Sequence, residues 1–180
     1  MNKVLIVVDM QKDFVDGALG TKEAEAIVER VAAKIRGFEG RIYATLDTHE
    51  PDYLETAEGR KLPVPHCIRG TDGWEINGKV LHALTEKGYV PIEKKTFGST
   101  DLVEEIRDIV AGGETEIELV GLCTDICVVS NALLLKANFP ETAISVDGSC
   151  CAGVTPRTHE AALETMKMCQ IDVTGEGIEM

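Results

Sequence analysis

Apolar residues follow two rhythms along this chain. Short unbroken runs rich in β-branched residues, such as Val4-Leu5-Ile6-Val7-Val8, alternate with stretches whose apolar residues recur every three or four positions. The first rhythm suits a strand buried on both faces, the second an amphipathic helix. "KVLIVVD", "GRIYATLD", "GYVPIEKK", "TEIELVGL" and "TAISVDG" are read as strands, with a last short strand near "QIDVT". Between them, "TKEAEAIVERVAAKIRGF", a segment from about Trp74 to Lys87, "STDLVEEIRDIVAG", "TDICVVSNALLLKAN" and "PRTHEAALETMKMC" are read as helices. Thr21 is placed to cap the first of these, and Glu23 and Glu25 lie where the helix dipole favours negative charge. Ala24 at the third helical position leaves no full capping box.

Strands alternating with helices predict an α/β fold, a three-layer α/β/α doubly wound arrangement around a mostly parallel six-stranded sheet. No internal repeat, low-complexity tract or linker interrupts the pattern, so residues 1–180 are read as a single domain. One segment breaks the rhythm. Residues 50–73 hold three prolines and three glycines and predict a long irregular excursion, the kind of loop that usually carries function.

Composition narrows the partners. A net charge of −13 with no basic block argues against nucleic acid and against an anionic membrane surface. No stretch approaches the roughly 18 apolar residues of a membrane span, and the first apolar run stops at Asp9, too soon for a signal-peptide core. A cytoplasmic protein is expected. Cysteines stand at 67, 123, 127, 150, 151 and 169, with no C-x-x-C among them. In a reducing compartment they are expected as free thiols, most of them small buried hydrophobes.

In open α/β sheets ligands bind beyond the carboxyl ends of the strands, where the strand order switches direction. The predicted strands end at Asp9, at Asp47 with His49 two residues on, at Lys94 and Lys95, and at Leu122 with Cys127 in the following turn. Taken singly, Asp9 could cap a loop and Lys94 could be a solvated strand end. Cys127 at a helix N-terminus is a different matter. The dipole and a nearby lysine are expected to lower its pKa, and a carboxylate could take its proton, which is the logic of an activated nucleophile.

"VGLCTDICV" resembles the nucleophile motif of the cysteine-hydrolase, or isochorismatase-like, superfamily, which contains nicotinamidases, N-carbamoylsarcosine amidases and isochorismatases. "VVDMQKDF" is similar to its first motif and "KKTFGS" to its lysine motif, in the family's order and spanning essentially the whole chain. The resemblance implies the isochorismatase-like hydrolase fold, with Cys127 as nucleophile, Asp9 as its base and Lys94 as the cation between them. Lys94 is preferred over Lys95 because an aromatic, Phe97, stands three residues after it. It further implies a cis peptide at Leu122–Cys123 and an oxyanion hole from the backbone N–H groups of Cys123 and Cys127. Isochorismatases proper lack the cysteine, so its presence points toward amide hydrolysis.

Asp47, His49, Glu58 and His66 are similar to the metal site of the nicotinamidase/pyrazinamidase branch, with Glu55 as the alternative to Glu58. D-x-H at a strand end puts both side chains on one side. Such a donor set suits a divalent transition metal, with zinc expected first and iron or manganese as alternatives. One feature departs from that branch: "KLPVP", just before His66, holds no aromatic to sandwich a ring. Phe14 can supply one wall of a substrate site, and Trp74 lies eight residues beyond His66. The expected function is a metal-containing cysteine amidohydrolase releasing ammonia from nicotinamide or a similar small carboxamide through a thioester. The alternatives are a metal-independent cysteine amidase acting on a carbamoyl compound and a non-hydrolytic thiol or metal-binding protein. The expected partner is a small-molecule amide, with no nucleic acid and no membrane, and the chain is expected to form a homo-oligomer.

Overall fold

Strand β1 (Asn2–Val8) sits in the middle of the sheet because both of its faces are apolar. In the computed structural model, which describes residues 1–175, Leu5 and Val7 enter one core while Val4, Ile6 and Val8 enter the other. The remaining strands are β2 (Arg41–Asp47), β3 (Val90–Lys94), β4 (Thr115–Leu122), β5 (Ala143–Ala152) and β6 (Asp172–Thr174). They form one sheet in the order β3-β2-β1-β4-β5-β6. Expected as mostly parallel, it is parallel at every pairing.

The helices are α1 (Lys12–Val15), α2 (Lys22–Gly37), α3 (Ala57–Lys61), α4 (Gly78–Lys87), α5 (Thr100–Ala111), α6 (Val129–Asn138) and α7 (Pro156–Met168). Ile27, Val31 and Ile35 of α2 and Val80 and Leu84 of α4 fill the core on one face of the sheet. Leu102 and Ile106 of α5, Leu135 of α6 and Met166 of α7 fill the other. Thr21 caps α2 by accepting from the Ala24 N–H at 3.0 Å, and Ser99 caps α5 through the Leu102 N–H at 3.1 Å. Among the described residues no helix is long and apolar enough to cross a membrane.

Three predicted boundaries differ. The helix expected from Trp74 begins at Gly78, capped by Asn77, because residues 75–77 pair with the chain just after β1. Lys12 N–H donates to Glu75 O at 2.9 Å, and Asn77 N–H donates to Met10 O at 2.8 Å. The strand expected to stop at Gly148 continues to Ala152, its pairing with β4 shifting register between Leu119 and Gly121. The helix expected from Thr124 opens as a π-helical turn over Thr124–Val128 before α6 begins.

The order of the strands fixes where a ligand can sit. From β1 the chain runs outward through β2 and β3, then returns to β4 on the other side of β1. The crevice therefore opens between the carboxyl ends of β1 and β4. Gly121 lets these two strands come close there: its φ is +116°, and a Cβ on it would clash with the Val8 carbonyl.

Candidate active site

Asp9 follows β1 directly, fully buried and in the left-handed region at φ 46°. Thr45 on the neighbouring strand β2 holds it, donating from Oγ1 to Asp9 Oδ1 at 2.6 Å and accepting from the Asp9 N–H at 3.2 Å. Lys94, at the end of β3, reaches inward over β2. Its Nζ lies 2.6 Å from Asp9 Oδ2, 3.3 Å from Cys127 Sγ and 3.4 Å from Asp47 Oδ1. Cys127 is buried within the π-helical turn after β4, and Asn131, one turn later, fastens the backbone around it. The Asn131 amide donates to Cys127 O at 2.8 Å and to Phe97 O at 3.1 Å, and accepts from Ser99 N–H at 2.9 Å. Asp9, Lys94 and Cys127 are thus brought together. Lys95 is exposed on the cavity wall, away from that contact. The expected cis peptide is present at Leu122–Cys123, and Cys123 is half-buried on the same wall.

The electrostatics correct one expectation. The Cys127 thiol is pushed well above its ordinary pKa by burial and by the charge of Asp9, against the pull of Lys94. Desolvation outweighs the helix N-terminus here. Burial also raises Asp9, with Lys94 opposing, while Lys94 stays charged because Asp9, Cys127 and Asp47 outweigh its own desolvation. The Cys123 thiol is pushed up to about 12 by burial. Both cysteines therefore rest as thiols.

Beside this trio stands a second cluster. Asp47 Oδ2 lies 3.0 Å from His49 Nε2 and 3.6 Å from His66 Nε2, while Glu58 Oε1 lies 3.6 Å and 3.8 Å from the same two nitrogens. All four ligating atoms fall within 4.8 Å of one another. Donors placed about 2.0–2.2 Å from one tetrahedral ion stand roughly 3.3–3.6 Å apart, so the set fits a single ion with small adjustments. The donor chemistry, two imidazoles and two carboxylates, suits zinc, iron or manganese. Burial works against ionising Asp47, but hydrogen bonds from His49 and His66 and the charge of Lys94 hold it well below the usual carboxylate range. His66 Nδ1 lies 2.8 Å from the Val64 carbonyl, which accepts an Nδ1–H and leaves Nε2 facing the cluster. Thr56 caps α3 through the Gly59 N–H at 3.0 Å and so turns Glu58 inward. Glu55 lies in the preceding 3₁₀ turn, exposed and outside the cluster.

Sequence reasoning missed two residues that shape this cluster. Gln11 is fully buried; its amide donates to Asp47 O and to Trp74 O, both at 2.8 Å, and accepts from Asp47 N–H at 2.8 Å. A polar side chain directly after an apolar strand was the only signal for it. Tyr53 is buried with its ring 4.6 Å from that of His49 and 5.0 Å from that of His66, and its hydroxyl donates to Leu62 O at 2.9 Å. An aromatic inside a proline- and glycine-rich excursion was its signal.

Both clusters open into one cavity of about 580 Å³, lined among others by Asp47, Glu58, His66, Cys123 and Cys127. Phe14 lies on its wall, 5.4 Å from the His66 ring. The 61–66 segment reaches it through Lys61, Leu62 and His66, so no aromatic stands there; Phe97 is on the wall instead. Trp74 packs against the core and donates to Thr48 Oγ1 at 2.9 Å, away from the cavity.

Known proteins share this architecture. The PncA isochorismatase family protein of Bacillus subtilis is 35% identical over 147 residues, 74% of this chain and 78% of its own. The nicotinamidase/pyrazinamidase of Mycobacterium tuberculosis is 29% identical over 194 residues, 95% of this chain and 97% of its own. The crystal structure of nicotinamidase/pyrazinamidase PncA from Bacillus subtilis matches with a TM-score of 0.84 at 28% identity, covering 97% of this chain and 100% of that one. A pyrazinamidase of Pyrococcus horikoshii in complex with zinc matches at 0.77 with 27% identity, over 97% and 99% of the two chains. The family model for the isochorismatase domain matches residues 3–176, and with the parallel sheet and the crevice at its switch point this places the chain in the isochorismatase domain family.

Proposed function

We infer that this protein is an amidohydrolase acting on a linear amide, that it releases ammonia from nicotinamide or a closely similar small carboxamide, and that Cys127 is its nucleophile. The observation that carries the reading is the position of Lys94 Nζ, 2.6 Å from Asp9 and 3.3 Å from Cys127, in a cavity shared with a four-donor cluster. Relatives that are nicotinamidases or pyrazinamidases over nearly their whole length support the substrate class.

The chain's own groups account for each proton. Asp9 Oδ2 pairs with Lys94 and, among the described residues, accepts no hydrogen bond of regular geometry, so it is open to the thiol proton. Moving that proton from Cys127 to Asp9 leaves the net charge of the trio unchanged, and Lys94 stabilises whichever partner is the anion. Charge moved within a fixed ion pair needs no new solvation in a dry site. The sulfur then bonds to the carbonyl carbon, and the N–H groups of Cys123 and Cys127 hold the oxyanion. Asp9 returns its proton to the amide nitrogen as the C–N bond breaks, and ammonia leaves. Water attacks the thioester, Asp9 takes one of its protons and passes it to the departing sulfur, which leaves as a thiol, giving the carboxylic acid and the free enzyme with Asp9 ionised again.

Asp47, His49, Glu58 and His66 are the residues that would hold a divalent ion, which when bound supplies Lewis acidity able to hold a ring nitrogen or acidify water. Zinc is the first choice, by the donor set and by the zinc-containing Pyrococcus relative. The test is ammonia release from nicotinamide, pyrazinamide and a carbamoyl compound, before and after stripping metal with a chelator. Nicotinamide should be hydrolysed, with activity lost on stripping and regained with zinc, iron or manganese. Hydrolysis of the carbamoyl compound alone, or full activity in stripped protein, would overturn the reading.

A further inference from the structure

The solvent end of the cavity is apolar and carries two ammonium groups. Leu62, Phe97 and Val154 are 38%, 45% and 52% exposed; Leu54, Leu81 and Val90 are similarly exposed but lie outside the cavity, whereas these three gather on the wall of the cavity that holds Cys127. Lys61 and Lys95 line the same cavity, both exposed. Elsewhere Lys12, Lys34 and Lys87 each sit on a carboxylate. Among the described residues Lys61 and Lys95 make no ion pair; Lys22 and Lys136 make none either, but of these four lysines Lys61 and Lys95 are the ones that line the cavity.

Size points the same way. A cavity of about 580 Å³ lies inside the roughly 300–1,000 Å³ range of pockets that bury drug-sized ligands. A single-ring carboxamide with its carbonyl at Cys127 fills only the inner part, between Phe14 and the ligating cluster. The mouth formed by Leu62, Phe97 and Val154 is then left wet. We propose that the cavity takes carboxamides longer than a single ring, with an apolar extension lying along Leu62, Phe97 and Val154 and ending in an acidic group at Lys61 and Lys95. This rests on the amidohydrolase reading and names the substrate class within it. Apolar walls that continue from the reacting end to the rim favour an aliphatic or aromatic extension. The two unpaired cations favour a carboxylate at its tip.

Three substrates separate the claims: nicotinamide, its 5-propyl derivative and its 5-(2-carboxyethyl) derivative. Position 5 crowds neither the amide nor the ring nitrogen. A buried methylene contributes about a factor of four, so a propyl group in a half-open mouth should raise kcat/KM roughly tenfold over nicotinamide. Exposed charge pairs are weaker, so the carboxylate should add about threefold over propyl in low salt, declining as salt is raised. In the Lys61→Ala/Lys95→Ala double variant the carboxyethyl-to-propyl ratio should fall to one or below. In Val154→Ser the propyl-to-nicotinamide ratio should fall. Both readouts are ratios within one preparation, so partial misfolding does not mimic them. A propyl derivative turned over no faster than nicotinamide overturns the proposal and means that the mouth is closed or covered, for example by a second copy. A carboxyethyl-to-propyl ratio that survives loss of both lysines also overturns it. If none of the three is hydrolysed, the amidohydrolase reading itself fails.

Discussion

Lys94 Nζ stands 3.4 Å from Asp47 Oδ1, and that contact joins the Asp9–Cys127 pair to the four-donor cluster. Both carboxylates are buried, so the one ammonium offsets negative charge on both sides. In the proposed reaction, chemistry at the sulfur and an ion held by the cluster would therefore be electrostatically coupled through this side chain.

Removal of any member of the trio should stop turnover. Cys127→Ser, Asp9→Asn and Lys94→Ala are each expected to lower kcat by about three orders of magnitude or more, because groups acting as a unit fail together. Cys123→Ala should keep most activity, since the proposed reaction uses only its backbone. Lys94→Ala should also lower stability, since breaking a buried pair costs about 3–5 kcal/mol. Steady-state kinetics with denaturation curves on the same preparations check this, and an inactive Cys123→Ala beside an active Cys127→Ser would reverse the assignment.

The two glutamates of the excursion should behave differently toward metal. Glu58→Ala should weaken zinc binding by at least the roughly 10–100-fold seen for lost outer partners, whereas Glu55→Ala should leave it unchanged. Competition against a chromogenic chelator reads this without turnover. Equal affinities in the two variants would remove Glu58 from the set.

A ring-stacking partner can be restored. Leu62 lines the cavity on the segment that lacks an aromatic; a leucine there stops short of a single bound ring, but the longer indole of Leu62→Trp can extend inward from the mouth to stack on it, and should lower KM for nicotinamide by up to roughly tenfold with little change in kcat. A change confined to KM is the mark of binding shared by ground and transition states. The same variant should lose the advantage of 5-substituted substrates. A fall in kcat with KM unchanged would contradict the placement.

What the sequence revealed and what it concealed divide on physical lines. That Asp9, Asp47, Lys94 and Cys127 would come together was legible because a parallel sheet delivers its strand ends to one rim. The unbroken run Val4–Val8 was legible as a strand because both of its faces are buried. The start of α4 was not, since apolar spacing around Trp74 is blind to a backbone pairing with Met10 and Lys12. Gln11 and Asn131 act through side-chain bonds to backbone groups far along the chain, and no local spacing records such bonds. The Cys127 pKa was misjudged for a related reason: the helix end is visible in sequence, but the depth of burial that overrides it is not.

Acid should weaken one ion pair outside the site in a defined window. Asp147 Oδ2 lies 2.8 Å from Lys34 Nζ, and Oδ1 accepts from Ser149 Oγ at 2.6 Å. Burial opposes its charge, but Lys34 and Ser149 hold its pKa below the ordinary value. A folded pKa below the unfolded one gives stability that is present above about pH 4 and lost as pH falls through the folded value. Asp147→Asn should therefore be about 1–3 kcal/mol less stable than the parent near pH 7, a gap that closes below about pH 4. Urea titrations across that range check it, and a gap independent of pH would refute it.

The claim that Cys127 forms a thioester is tested most directly by acid-quenching the enzyme during turnover of nicotinamide and measuring its mass before and after digestion. The account predicts ammonia in solution and a nicotinoyl adduct on the peptide spanning residues 120–130, carried by Cys127 and absent in Cys127→Ser. An adduct on Cys123, or undiminished ammonia release by Cys127→Ser, would contradict it.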